Sequence, residues 1–193
     1  MTIKEYNQKL GAVIKTMDMK QGVIMASLGI EALTMIKKRV IETGVDAKGS
    51  KYKPYSTKAM LTNCSALTSS ACSTIAGSKD KRRDLNWVTI KGHRLFNLSG
   101  GYKQFREIQG RQTTHVDFSF NNDMWNDINL ISKAGQHKQG IAVIGARDGH
   151  QKKVLAGNTD RRGDILDLSI KEIDYLRDEY NLETLKIFRG KGL

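Results

Sequence analysis

The side chains that could ligate a metal, move a proton or attack a substrate are few and scattered along this chain. Its four histidines, His93, His115, His137 and His150, stand singly, and Cys64 and Cys72 belong to no Cys-x-x-Cys pair. A structural zinc site needs about four ligands at close spacings, so no metal is expected. A Cys64–Cys72 disulfide would require an oxidising compartment, and two reduced thiols in a polar segment are the simpler expectation. Asp160, Asp164 and Asp167 gather beside Arg161 and Arg162. Carboxylates of this kind serve a nuclease when they hold a divalent ion, but mixed Asp/Arg runs ahead of a helix more often supply caps and surface pairs. Asp46 is the one acid in its glycine-bearing loop, too few for a calcium site. No Walker loop, GxSxG or HExxH occurs. The expectation is a protein without catalytic residues, metal or cofactor, and not an enzyme.

What the chain does carry is charge. Of 193 residues, 32 are Lys or Arg and 20 are Asp or Glu, for a formal charge of +12. Residues 1–60 hold a net +6, residues 61–110 a net +5 and residues 111–193 a net +1. The densest clusters are Lys48-Gly49-Ser50-Lys51-Tyr52-Lys53 and Lys79-Asp80-Lys81-Arg82-Arg83. Such asymmetry fits a basic face that meets an acidic protein, a face that meets nucleic acid through its phosphates, or a solvated surface that aids solubility. No apolar run is long enough to span a bilayer, and the charges of MTIKEYNQKL sit where a secretory leader needs its apolar stretch.

The elements that must position these charges are legible in part. Leu10, Val13, Ile14 and Met17 predict a helix over 3–18. Ile24, Leu28, Ala32, Met35, Ile36 and Val40 predict another over 21–42, with no strong breaker between the two and a stop at Gly44. A methionine-bearing stripe of this kind serves a core or a subunit contact. Asp46 and Gly49 predict a turn and Pro54 an extended Lys53, in a loop with two exposed or half-buried tyrosines. Residues 59–78 are small and polar, and with the charged run to Asp84 they read as a flexible or partner-ordered insertion over 57–84. Residues 85–90 alternate as a half-buried strand. Ser99 is placed to cap a short helix over Tyr102 and Phe105. Val116, Phe118 and Phe120 alternate with polar neighbours and predict a strand over 114–120. A helix is expected over 124–128, a strand over 141–145, a turn at Asp148–Gly149, and a final helix opened by Ser169 and Glu172 as a capping box, with a frayed end after it. The fold class is α+β: a long N-terminal helix, an antiparallel sheet of a few strands and a C-terminal helix, in one domain over 1–193.

Several of these segments recur in order in one family. Gly44-Val45-Asp46-Ala47-Lys48-Gly49 is followed by Tyr52-Lys53-Pro54-Tyr55-Ser56, then by Leu95-Phe96-Asn97-Leu98-Ser99-Gly100, by Ala134-Gly135-Gln136-His137-Lys138-Gln139-Gly140, and by Arg162-Gly163-Asp164-Ile165-Leu166-Asp167-Leu168-Ser169 before the last helix. The chain resembles the virion-morphogenesis and tail-completion proteins of tailed phages, the minor proteins that join head to tail. The resemblance implies a non-enzymatic virion protein of the neck or tail end, assembled in the host cytoplasm as a homo-oligomeric ring. Its neighbours would be a connector or stopper and a tail terminator or tube, with transient contact to DNA in transit and none to a membrane. It also implies Lys48, Lys51, Lys53, Arg82 and Arg83 as contact residues, with Tyr52, Pro54 and Tyr55 shaping the loop that partners touch. A basic nucleic-acid-binding protein, touching DNA through the Lys/Arg-rich N-terminal half, is the alternative.

Overall fold

The computed structural model describes residues 1–66, 85–119, 122–132 and 134–193. Its elements in chain order are helix α1 (Ile3–Lys38), continued by a π-helical turn (Arg39–Thr43), strands β1 (Met60–Thr62), β2 (Leu85–Ile90) and β3 (His93–Leu98), helices α2 (Gly101–Ile108) and α3 (Asp123–Asp127), strand β4 (Ile128–Leu130), helix α4 (Ala134–Lys138), strand β5 (Ile144–Ala146), and helices α5 (Gly149–Arg162) and α6 (Ile170–Arg189). The fold is α+β, with a long first helix, small antiparallel sheets and a helix at the end. The chain divides into two compact units, residues Met1–Tyr52 with Asp117–Leu193, and residues Lys53–Val116.

In the first unit the two stripes read over 3–18 and 21–42 lie on one unbroken helix. Thr2 opens it with a capping box. Its hydroxyl accepts the Glu5 N–H at 3.2 Å while the Glu5 carboxylate accepts the Thr2 N–H at 2.7 Å, so two otherwise orphaned donors are satisfied. Gly44, at φ +64°, ends the π turn by donating its N–H to the Val40 carbonyl at 3.0 Å. Helix α6 runs antiparallel to α1: Lys9 Nζ donates to the Gly192 carbonyl at one end, and Arg39 pairs with Glu172 at the other. Between these ends Val13, Ile24 and Ile187 form a buried cluster, against which Met17, Leu28, Tyr180, Phe188 and Leu193 pack. Each of the buried aliphatics contributes on the order of 1.5–3 kcal/mol. The residues after α6, expected to fray, are docked instead, because Leu193 joins that cluster and its N–H donates to the Phe188 carbonyl.

Farther along, α1 meets the two-stranded β4–β5 sheet, paired antiparallel from Ile128↔Ala146 to Leu130↔Ile144. Gly29 marks the closest approach: a Cβ built there would lie 2.6 Å from Leu130 Cδ1 and 3.1 Å from Ala142 Cβ. Helix α5 occupies the stretch where sequence suggests only a turn. Asp148 is its N-cap, accepting the N–H groups of His150 and Gln151 at 2.8 and 3.1 Å. Asp127, at the end of α3, in turn accepts the N–H groups of Arg147 and Asp148.

The second unit is a three-stranded antiparallel sheet in the order β1-β3-β2, with α2 packed on it. The strand expected over 85–90 is β2, and it turns back through Lys91 and Gly92, at φ +49° and +78°, into β3. Two consecutive positive φ values fit the twist of a tight hairpin. Phe96, Leu98, Phe105 and Val116 are buried here. Helix α2 begins at Gly101 with Gly100 as its N-cap and without a side-chain cap from Ser99. The Gln104 side chain folds back to accept the Gly100 N–H at 2.9 Å. Gly101 is irreplaceable on geometry, since at φ +61° a Cβ would lie 2.1 Å from the Lys58 carbonyl oxygen.

The strand expected over 114–120 does not form at the described positions. Asp117, placed by the alternation on a polar face, is 5% exposed, and its carboxylate accepts the Ser119 N–H at 2.9 Å. Phe118 sits at φ +51°. An Asx turn closed by a buried aspartate competes directly with strand backbone, and the Asp117 carbonyl accepts from the buried Trp125 Nε1 at 2.8 Å, not from a neighbouring strand.

Candidate functional site: a basic loop pinned by Arg39

The loop that follows α1 is built by one carboxylate and one guanidinium. Asp46 Oδ1 accepts the N–H groups of both Lys48 and Ser50, at 2.9 and 2.8 Å. The Asp46 N–H donates to the Ser50 carbonyl, Gly49 supplies a φ of +83°, and Val45 bridges antiparallel to Lys51. These bonds saturate the tip and leave the Lys48 and Lys51 side chains in solvent.

Arg39 ties the base of the loop to the rest of the first unit. Its Nη1 donates to the Val45 carbonyl at 3.0 Å, its Nη2 to the Asp167 carbonyl at 2.6 Å and its Nε to Glu172 Oε1 at 3.0 Å. The same Glu172 accepts the Ser169 N–H through Oε2 at 2.7 Å, so one carboxylate closes the α6 capping box and anchors the loop. The Arg39 and Glu172 side chains are only 12% and 10% exposed. A guanidinium serves here because its rigid fork reaches three acceptors in different directions at once.

Beneath the loop Tyr52 is buried, with its ring edge-on to Phe118 at 4.8 Å. The Arg162 guanidinium lies 5.8 Å from the other ring of this pair. Burial pushes the Tyr52 phenol above its ordinary value, and the charge of Arg39 pulls the other way.

The sequence-expected site residues therefore divide. Lys48 and Lys51 stand exposed on the pinned loop. Tyr52 is internal packing under it and not an exposed contact. Lys53 and Tyr55 belong to the second unit, where Lys53 is exposed and Tyr55 is buried, edge-on to Tyr102 at 5.6 Å and 4.4 Å beneath the guanidinium of the buried Arg106. Apolar ring area favours the burial of both tyrosines, and the Tyr55 ring also faces the Arg106 guanidinium. Arg82 and Arg83, with most of the expected insertion over 57–84, lie outside the described residues.

Of the groups that suggested other chemistry, the Asp164 carboxylate accepts the Leu166 N–H at 3.0 Å, while Asp167 offers its backbone carbonyl to Arg39. Ser132 Oγ and His137 Nε2 lie 2.5 Å apart, a pair that single-residue reading of the histidines passes over. Among the described residues, no three His, Cys, Asp or Glu side chains gather as a metal-binding group, and no helix is long and apolar enough to cross a membrane. Arg39 itself is visible in the sequence only as a cation in the last turn of a helix. Two of its three partners are 128 and 133 residues away, and no local pattern announces them.

No family model, no curated protein and no solved structure matches the chain.

Proposed function

We propose that this chain is a structural protein of a tailed-phage virion, acting at the neck or tail end in tail completion and head–tail joining as one copy of an oligomeric ring. The observation that carries the reading is the Lys48/Lys51 loop. Two lysines are presented on backbone that Asp46 and Arg39 hold in one conformation, within the first of the ordered sequence elements that resemble the tail-completion family. A preformed basic loop loses little conformational entropy on docking. Repeated around a ring it joins two large assemblies through many modest contacts. Acidic rims of connector and tube proteins are the expected counterpart, with DNA passing nearby.

The test is location and phenotype. Particles assembled without the chain should accumulate as filled heads and separate tails, and cryo-microscopy of complete particles should find it in a ring at the junction. Normal joining in its absence overturns the proposal. The nucleic-acid alternative draws on the same excess of positive charge, and a salt titration separates the two. A DNA-binding protein shows log affinity falling steeply with log salt, whereas a docking protein shows no tight DNA binding at physiological salt.

A further inference from the structure

The surface of α1 away from the β4–β5 sheet carries a stripe that no described residue of this chain covers. Met19, Val23 and Ile30 are 64%, 72% and 57% exposed. They continue a run through Ala12, Thr16 and Ala26 at alternating spacings of four and three, the seven-residue repeat by which one helix packs along another. Val23 is also the rim of a groove of about 240 Å³ between α1 and α6, lined by Ile24, Ser27, Leu28, Glu31, Glu179 and Glu183. On α6, Tyr175 and Leu182 are each 48% exposed.

The polar groups of this face are unbalanced in a particular way. Glu31 Oε2 is shut off from solvent and accepts no hydrogen bond. Among the described residues no lysine or arginine pairs with Glu31 or Glu179, while Glu183 holds Lys186. The Tyr175 phenol is held above its ordinary value chiefly by Glu179 and then by Glu31, which places the three together. A carboxylate left like this is costly unless a cation arrives. The cation is on the same helix, about three turns nearer its start: Lys20 is exposed and without a carboxylate partner among the described residues.

A face that is basic in one half and acidic in the other, with apolar residues between, complements itself when turned end for end. We propose that a second copy of this chain packs on it, antiparallel about a two-fold axis near Val23, so that Lys20 of each copy meets Glu31 and Glu179 of the other. Such an isologous contact satisfies both charged halves in one step. The apolar stripe supplies the buried area, and the charges fix the direction of packing. The inference does not rest on the neck reading, because a dimer forms in dilute solution wherever the protein later acts.

Sedimentation equilibrium of the full chain reads it directly. Wild type should show twice its 21.6 kDa mass, and Val23→Asp should weaken the dimer by about tenfold or more. Glu31→Lys/Glu179→Lys and Lys20→Glu should each be monomeric alone and should form a mixed dimer when combined, since one then presents two basic halves and the other two acidic ones. Helical circular dichroism of every variant checks that the fold is retained. A wild type that stays monomeric, as it would if the groove took a foreign basic helix, overturns the proposal. So does self-association that Val23→Asp leaves unchanged, or a charge-swapped pair that ignores each other.

Discussion

Replacing Arg39 with alanine removes three charge-assisted hydrogen bonds at once and strands a carboxylate that is 10% exposed. The losses are not simply additive. Glu172 keeps its bond from the Ser169 N–H, and water entering the vacated space would solvate the Val45 and Asp167 carbonyls. Breaking a buried ion pair from one side costs about 3–5 kcal/mol, and the retained Ser169 bond puts the expectation at the lower end, about 3 kcal/mol. For a chain of 193 residues each kcal/mol moves the midpoint by about 2–4 °C, so the thermal transition should fall by about 6–12 °C. Arg39→Lys keeps one charge but cannot reach three acceptors, and should recover less than half of the loss. The assay is urea and thermal unfolding followed at 222 nm, where α1 and α6 dominate the signal, on the two Arg39 variants, on Glu172→Gln and on the double variant. The cycle should yield a coupling of about 1–3 kcal/mol. An Arg39→Ala protein within about 0.5 kcal/mol of wild type, the range of an ordinary surface change, would refute the claim that this guanidinium fastens the loop to α6.

Three further outcomes follow from single positions. Gly101→Ala places a Cβ 2.1 Å from a backbone carbonyl at φ +61°, so the second unit should lose about 3 kcal/mol or more in urea titration, and a change under about 1 kcal/mol contradicts the close approach. The backbone N–H of Gln151 and then that of His150 hold the Asp148 carboxylate below its ordinary 3.8. Its stabilising contribution is therefore complete above that value and is lost as pH falls through the depressed one. Asp148→Ala should flatten the acid limb of the stability curve, Asp148→Asn should keep the cap at neutral pH while losing the titration, and an unchanged acid limb in both rejects the assignment. Lys48→Glu/Lys51→Glu should leave unfolding curves unchanged, because both side chains are exposed, while abolishing incorporation into particles scored by immunoblot. Normal incorporation removes these lysines from the docking surface.

How much of this was readable beforehand depends on how local each cause is. The capping box at Ser169 and Glu172 and the stripe from Ile24 to Val40 were legible because their partners lie within a turn or two along the chain. The stop at Gly44 was legible for the same reason. Helix α5 was not, since Val154 and Leu155 make too short an apolar stripe and none of its residues is fully buried. Asp148 also announces a turn and a helix start equally well. The alternation of Val116 and Phe118 misled because period-two patterning records which side chains are apolar and not whether an intervening aspartate folds back onto its own backbone. The tyrosines of the basic loop read as exposed or half-buried because lysines flank them, whereas their full burial is set by Phe118 and Arg106, far away in sequence. The anchoring of the loop by Arg39 was illegible for that reason too.

Helix α1 has 36 residues in one unbroken run, about 54 Å of rod at 1.5 Å per residue. The stripe at Val23 and the lysine loop beyond Gly44 lie on that rod and at its end, separated by about 30 Å of helical rise. Only helical backbone intervenes, the last five residues of it a π turn. The helix thus works as a gauge: whatever engages the loop is held at a set distance from whatever engages the stripe, and an insertion of one residue between them would turn the two out of register by about 100° while moving them apart by only about 1.5 Å.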